Sequence, residues 1–273
     1  MVKRLYIWLF ALLVLFTGCE IIPEQEQLIP VPAPIGATRR HVLLDFTGFR
    51  CVNCPEAAAT AASLRDLYGD QLILVSLHPA SNPFTKGLYD YTCPASDTVY
   101  QFLGGTPSTP FPIGNIDLLP SSETYLSDAS DWPYLVARAM EDTLYAPALQ
   151  ATLTYDSLSH SLTAHCTILD FDLLLPRLAI WLIEDSLIGV QAMPDGTVNT
   201  HYVHRHLLRD AAHDEPLGRY LIDGRDSATF VLPETADPAN YSVVAIAIDA
   251  QNNYIWNAYE TKITSSYPSP AVP

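Results

Sequence analysis

Two cysteines spaced Cys51-Val52-Asn53-Cys54 are the residues of this chain best placed to do chemistry. Thiols three positions apart can close a disulfide on each other, and one of them can attack a disulfide elsewhere while the second resolves the mixed product. The segment after the pair matters as much. Pro55 to Tyr68 is rich in helix formers, and Pro55 is tolerated because a first-turn amide has no helical partner to lose. A helix starting at the motif favours a thiolate on Cys51, the expected nucleophile, and leaves Cys54 as the resolving thiol. Six residues upstream of Cys51, Asp45 interrupts an apolar run; a buried carboxyl there can take the proton of Cys54 if burial raises its pKa.

These residues need elements to position them. His41 to Thr47 reads as a buried strand, Gly48-Phe49-Arg50 as a turn, Pro55 to Tyr68 as a helix ended by Gly69, and Gln71 to His78 as a second strand. Strand, C-x-x-C, helix, strand resembles the thioredoxin arrangement. In that fold a cis-proline faces the cysteines ahead of the next strand. Pro112 is the first candidate because Ile113 to Asp117 reads as that strand, and Pro110 is the second. A short helix over Ala95 to Leu103 and an amphipathic one from Trp132 to Tyr145 complete this part.

More closely, the run Asp45 to Pro55 and the run Tyr202-Val203-His204-Arg205-His206-Leu207-Leu208-Arg209 resemble two signatures of Bacteroidetes outer-membrane lipoproteins of the "outer membrane protein 28" type. The resemblance implies an α/β thioredoxin-like domain followed by a β-rich domain. The residues of the second part read as short strands: Leu162, Ala164, Cys166 and Ile168 alternate with polar neighbours, and further strands fall at Leu178–Leu187, His201–Arg209, Ala228–Leu232, Tyr241–Asp249 and Tyr254–Ile263. With the short strands starting from Leu149, seven in all point to an all-β immunoglobulin-like sandwich. The expected layout is 1–18 signal peptide, 19–38 acylated tether, 39–147 thioredoxin-like domain, 148–264 sandwich and 265–273 disordered tail.

The N-terminus sets the location. Lys3 and Arg4 precede an apolar run from Leu5 to Phe16, too short for a comfortable membrane span. Leu15-Phe16-Thr17-Gly18-Cys19 resembles a lipobox, so Cys19 is expected to carry the lipid anchor. Glu20 stands where an inner-membrane retention Asp would, which favours the outer membrane, and 21–36 reads as a Pro-rich tether. The full chain of 273 residues carries a net charge of −16, and losing Lys3 and Arg4 makes it more acidic; nucleic acid is excluded as a partner. Expected partners are the membrane, through the lipid, and envelope or surface proteins.

Other candidates are weaker. Cys93 lies in an irregular stretch and either stays unpaired or reaches the C-x-x-C; Cys166 points into a core. His201, His204 and His206 invite a metal, since His204 and His206 would share a face of one strand, but an aromatic–polar ladder accounts for them as well. No second C-x-x-C completes a zinc site, and no cofactor is expected. Two functional readings stay open: a thiol–disulfide oxidoreductase of the envelope, and a non-catalytic adhesin or accessory subunit that uses the fold as scaffold.

Overall fold

The computed structural model describes residues 38–121, 124–142, 146–169 and 176–263, all in one compact unit. The lipobox with Cys19, most of the tether and the expected tail lie outside them. Among the described residues no helix is long and apolar enough to cross a membrane.

Strand β1 (His41–Phe46) is buried along its whole length, as a continuous apolar run predicts for a strand covered on both faces. Helix α1 (Cys54–Tyr68) starts at the second cysteine with Pro55 in its first turn and ends where Gly69 takes φ +57°. Strand β2 (Leu72–Leu77) pairs parallel to β1, with Asp45 opposite Ser76. Helix α2 (Pro94–Phe102), β3 (Ile113–Ile116), the short β4 (Ser127–Asp128) and helix α3 (Trp132–Met140) come next. Strand β3 runs antiparallel to β1 and sets Gly114 opposite Asp45.

The later strands are β5 (Leu149–Asp156), β6 (Ser161–Ile168), β7 (Arg177–Glu184), β8 (Leu187–Ala192), β9 (Val198–His204), β10 (Leu207–Ala211), β11 (Arg219–Tyr220), β12 (Arg225–Val231), β13 (Tyr241–Ile248) and β14 (Ile255–Lys262). The protein is mixed α/β, with few helices and one large sheet in the order β14-β13-β7-β10-β2-β1-β3-β4, β11 adding to β7. Residues 39–147 and 148–264, expected as two domains, thus contribute to one sheet. The junction is β10 beside β2, where Leu207 pairs with Ser76 and the Ser76 amide donates to the His206 carbonyl at 2.7 Å.

One core spans that junction. Val42, Leu44 and Phe46 of β1 share it with Trp181 and Ile183 of β7 and Val244 and Ile246 of β13. The sheet curls enough to bring β14 back towards β1: Ile255 N donates to Asp117 O, and Arg40 N to Asn257 Oδ1, both at 2.8 Å. A second core lies between β7 and β13 and a three-stranded sheet, β12-β6-β5, where Leu162, Ala164, Cys166 and Ile168 alternate inward as their spacing predicts. Two β layers thus face each other across this core, and one of them is the far half of the large sheet. The third core packs α1 and α3 on the opposite face of β1, through Leu43, Ala57, Ala61, Leu64, Trp132 and Val136.

Two strand assignments need correction. The segment expected as a single strand over His201–Arg209 is broken at Arg205-His206, where His206 takes φ +56°, so His204 ends β9 and His206 precedes β10. The two histidines do not share a face of one strand. The segment expected as Leu178–Leu187 ends as a strand at Glu184, and β8 begins at Leu187 to pair only with β9.

Candidate functional site

Side chains alternate along β1, so Asp45 points with Leu43 towards α1, beneath the start of that helix. Its carboxyl is 4% exposed and Oδ1 has no hydrogen-bond partner. Burial alone pushes its pKa up to about 7. The chain leaves β1 through a tight turn: Cys51 N donates to Gly48 O at 2.9 Å and Arg50 N to Phe84 O at 3.0 Å. Gly48 is required here, since a Cβ would stand 2.6 Å from Phe84 O. Cys51 and Cys54 are joined as a disulfide with a Cα separation of 5.4 Å. The Phe111–Pro112 peptide bond is cis, and Pro112 leads into Ile113, the β3 partner of Phe46. Arg50 directs its guanidinium to the Lys86 carbonyl at 3.3 Å.

The feature that sequence reasoning missed is what covers the disulfide. The β8–β9 hairpin lies on the Cys51 turn. Gln191, 2% exposed, donates through Nε2 to the Cys51 carbonyl at 2.9 Å, and Ala192 N donates to Phe49 O at 2.7 Å. Cys51 is left 1% exposed and Cys54 2%. The hairpin is seated on an aromatic cluster. Val190 N donates to Tyr91 Oη at 3.0 Å, and the His204 ring lies 4.7 Å from Tyr91, 4.9 Å from Tyr202 and 5.9 Å from His78. Gly189 permits this approach, because a Cβ there would stand 2.0 Å from Tyr91 Oη. A signal for the hairpin exists in the sequence: Met193-Pro194-Asp195-Gly196 is a turn sequence, and Gly196 takes φ +82° while Met193 N donates to Thr197 O.

Between this hairpin and α1 lies a cavity of about 350 Å³. Asp45, Ser76 and His78 border it from the sheet, Cys54 and Ala58 from α1, and Tyr202 and His204 from β9. His78 is 1% exposed with Nδ1 unpartnered; burial, then His204 and Arg209, hold its pKa down at about 3. Burial also lowers the pKa of His204, whose Nε2 lies 3.2 Å from Val190 O. His204 and His206 thus serve packing and a cavity wall, while His201 is exposed and contacts Thr200. Among the described residues no group of three or more His, Cys, Asp or Glu side chains is arranged to hold a metal.

The two other described cysteines are free and buried. Cys93 Sγ lies 3.2 Å from Ser96 Oγ and 3.3 Å from Leu208 O, with its pKa raised by burial. Cys166 sits in the second core, where burial pushes its thiol up to about 12.

No family model matches the chain, and no curated protein matches it by sequence. Solved structures do. HBP35 of Porphyromonas gingivalis superposes with a TM-score of 0.61 at 18% identity, over 86% of this chain and 80% of that one, so the two share a fold. A protein of Agrobacterium tumefaciens aligns over 86% of this chain and 99% of its own at TM-score 0.48 and 12% identity. A domain of the outer membrane lipoprotein Omp28 from Porphyromonas gingivalis aligns over 45% of this chain and 93% of its own at TM-score 0.32 and 21% identity.

Proposed function

We propose that the protein is a lipid-anchored envelope protein whose thioredoxin-like portion exchanges disulfides with protein thiols through Cys51 and Cys54. The anchoring half, with its outer-membrane location, rests on the lipobox sequence at Cys19, on Glu20 after it and on the Pro-rich tether. The chemical half rests on one observation above all: a buried Asp45, its Oδ1 without a partner, that borders the same cavity as Cys54. A carboxyl in such a place costs stability, and a pKa of about 7 suits it to trade a proton with a thiol near neutral pH.

Atoms and charges balance in both directions. A client thiolate attacks Cys51 Sγ, the Cys51–Cys54 bond breaks, and Cys54 leaves as a thiolate that takes the Asp45 proton. In reverse, the Cys54 thiol gives its proton to Asp45, attacks Cys51 in the mixed disulfide, and expels the client thiolate. With Cys51 sealed beneath Gln191, either direction requires the β8–β9 hairpin to lift from the turn.

That same seal favours a second reading, in which the disulfide is inert and the fold is a scaffold for a surface adhesin or an accessory subunit. Trapping separates the two. A Cys54→Ser variant should accumulate mixed disulfides on Cys51 with envelope proteins, and Cys51→Ser should accumulate none. Absence of trapped species, with normal surface function in the Cys51→Ser/Cys54→Ser double variant, would establish the scaffold reading.

A further inference from the structure

We propose that the cavity between α1 and the β8–β9 hairpin binds a primary alkylammonium group, with Asp45 as its counter-ion and the alanine face of α1 as the wall for its alkyl chain. Such binding does not depend on the disulfide being redox-active.

The cavity, at about 350 Å³, has the size of a small ligand site, which spans roughly 300–1,000 Å³. Apolar side chains form part of its walls: Ala58 with the exposed Ala59 and Ala62 on the helix, Leu43 and Leu74 on the sheet, and the exposed Val203 on β9. Side chains this small leave an open slot beside the helix where larger ones would close it. Among its polar lining residues Asp45, His78, Gln191 and His204 are buried, while Arg205 is exposed. Asp45 and His78 each carry an atom with no partner in the protein, Oδ1 and Nδ1 respectively, and unsatisfied buried groups of this kind are rare in folded chains.

The missing partner is a cation. Burial is the whole cause of the Asp45 shift, so no positive side chain acts on it. Arg205 borders the cavity, but its guanidinium faces Asp185 at 3.4 Å. His78, His204 and His206 are all held towards their neutral forms, first by burial; His204 and Arg209 add to the effect at His78, and at His206 Asp185 and Glu260 oppose it while Arg65 and Lys262 add to it. An ammonium group is compact and brings three donors, which match a carboxylate oxygen and a neutral imidazole nitrogen; Tyr202 lines the same wall. An anion would oppose Asp45, and a neutral alcohol would leave the charge uncompensated. The net charge of −16 raises the local concentration of cations further.

The test uses the purified protein with its disulfide intact, titrated with n-hexylamine and, as an uncharged control, 1-hexanol. Hexylamine should bind about tenfold or more tightly than the alcohol at pH 8. Its affinity should fall by about tenfold per pH unit below 7, as the ionised fraction of Asp45 falls. Asp45→Asn should lose about tenfold or more of the amine affinity, and Ala58→Leu should lose it by filling the slot while leaving the carboxyl in place. Thermal melts check that both variants fold. The titration is made on the disulfide-bonded protein, in which Cys51 and Cys54 have no free thiol, so failure of the redox reading leaves this result standing. A blocked lysine, N-acetyl-lysine amide, then assigns the source: competition at comparable affinity points to a lysine side chain of a client, and lack of competition to a free amine. Equal affinity for alcohol and amine, a pH-independent amine affinity, or unchanged binding in Ala58→Leu would overturn the proposal.

Discussion

Asp45→Asn should make this protein more stable, and by an amount that depends on pH in a defined way. The carboxyl has an ordinary pKa of 3.8 when exposed and about 7 in the fold, so the folded state holds its proton more tightly than the unfolded chain. Below both values Asp45 is neutral in each state and costs nothing through ionisation. As pH rises from 3.8 the unfolded chain gains by ionising while the folded state cannot, and stability falls at about 1.4 kcal/mol per pH unit until the folded group ionises near 7. Over that interval the loss reaches about 4 kcal/mol. An asparagine does not titrate, so the variant escapes the whole pH-dependent part. Its buried amide costs about 1–3 kcal/mol if it finds no partners, a constant offset across pH. Urea unfolding of the oxidised parent and the variant between pH 4 and pH 8 reads the difference. It should widen in favour of the variant by about 4 kcal/mol across the range and flatten above pH 7. A difference that stays constant would show that Asp45 is not a desolvated acid and would remove the main support for its part in proton transfer.

The same geometry fixes the outcome of other perturbations. Gln191→Ala removes the bond to the Cys51 carbonyl, and reduction of the disulfide by dithiothreitol should speed up by about five- to tenfold, the worth of about 1 kcal/mol of buried hydrogen bond. Gly189→Ala forces a methyl against Tyr91 and should speed the same reaction by lifting the hairpin; an unchanged rate in both variants would mean that the hairpin does not gate the site. Trp181→Ala empties a fully buried site and leaves the Pro216 carbonyl without its indole donor, so chemical denaturation should show a loss of about 3–5 kcal/mol. A fragment ending at Ala146 loses β7, β10, β13 and β14 from the shared sheet and core and should lack a cooperative unfolding transition. Cys19→Ala should abolish lipid labelling; retained acyl mass on the mature N-terminus would refute the lipobox reading.

Some of this is legible in the sequence for clear physical reasons. The first two strands and the helix between them announce themselves because strands buried on both faces must be apolar throughout, and because proline and glycine mark where the helix can start and stop. The distance from Asp45 to Cys51 is short and local, so sequence alone places the acid below the cysteines. The β8–β9 hairpin escapes such reading, since most of β9 is exposed and lacks the alternation that marks a half-buried strand. Only its Asp195-Gly196 turn hints at it. The pairing of β10 with β2 has no local signal at all. Leu207-Leu208 looks like any buried strand, and its choice of neighbour is made by packing between residues over a hundred positions apart. For the same reason the histidines look like one ladder: the kink at His206 is imposed where the chain passes from the hairpin into the large sheet.

The placement of β10 also bears on how the chain is made. The edge of β2 that carries Ser76 is completed by residues near 206, and the wall of the cavity by residues 202 to 206. A ribosome or a secretion pore delivers the chain from its N-terminus, so Cys51 and Cys54 emerge well before the segments that will enclose them. During that interval the pair is open to oxidants and the β2 edge is unpaired and able to recruit a foreign strand. The cysteine pair therefore has its period of greatest exposure before residue 191 has emerged to cover it.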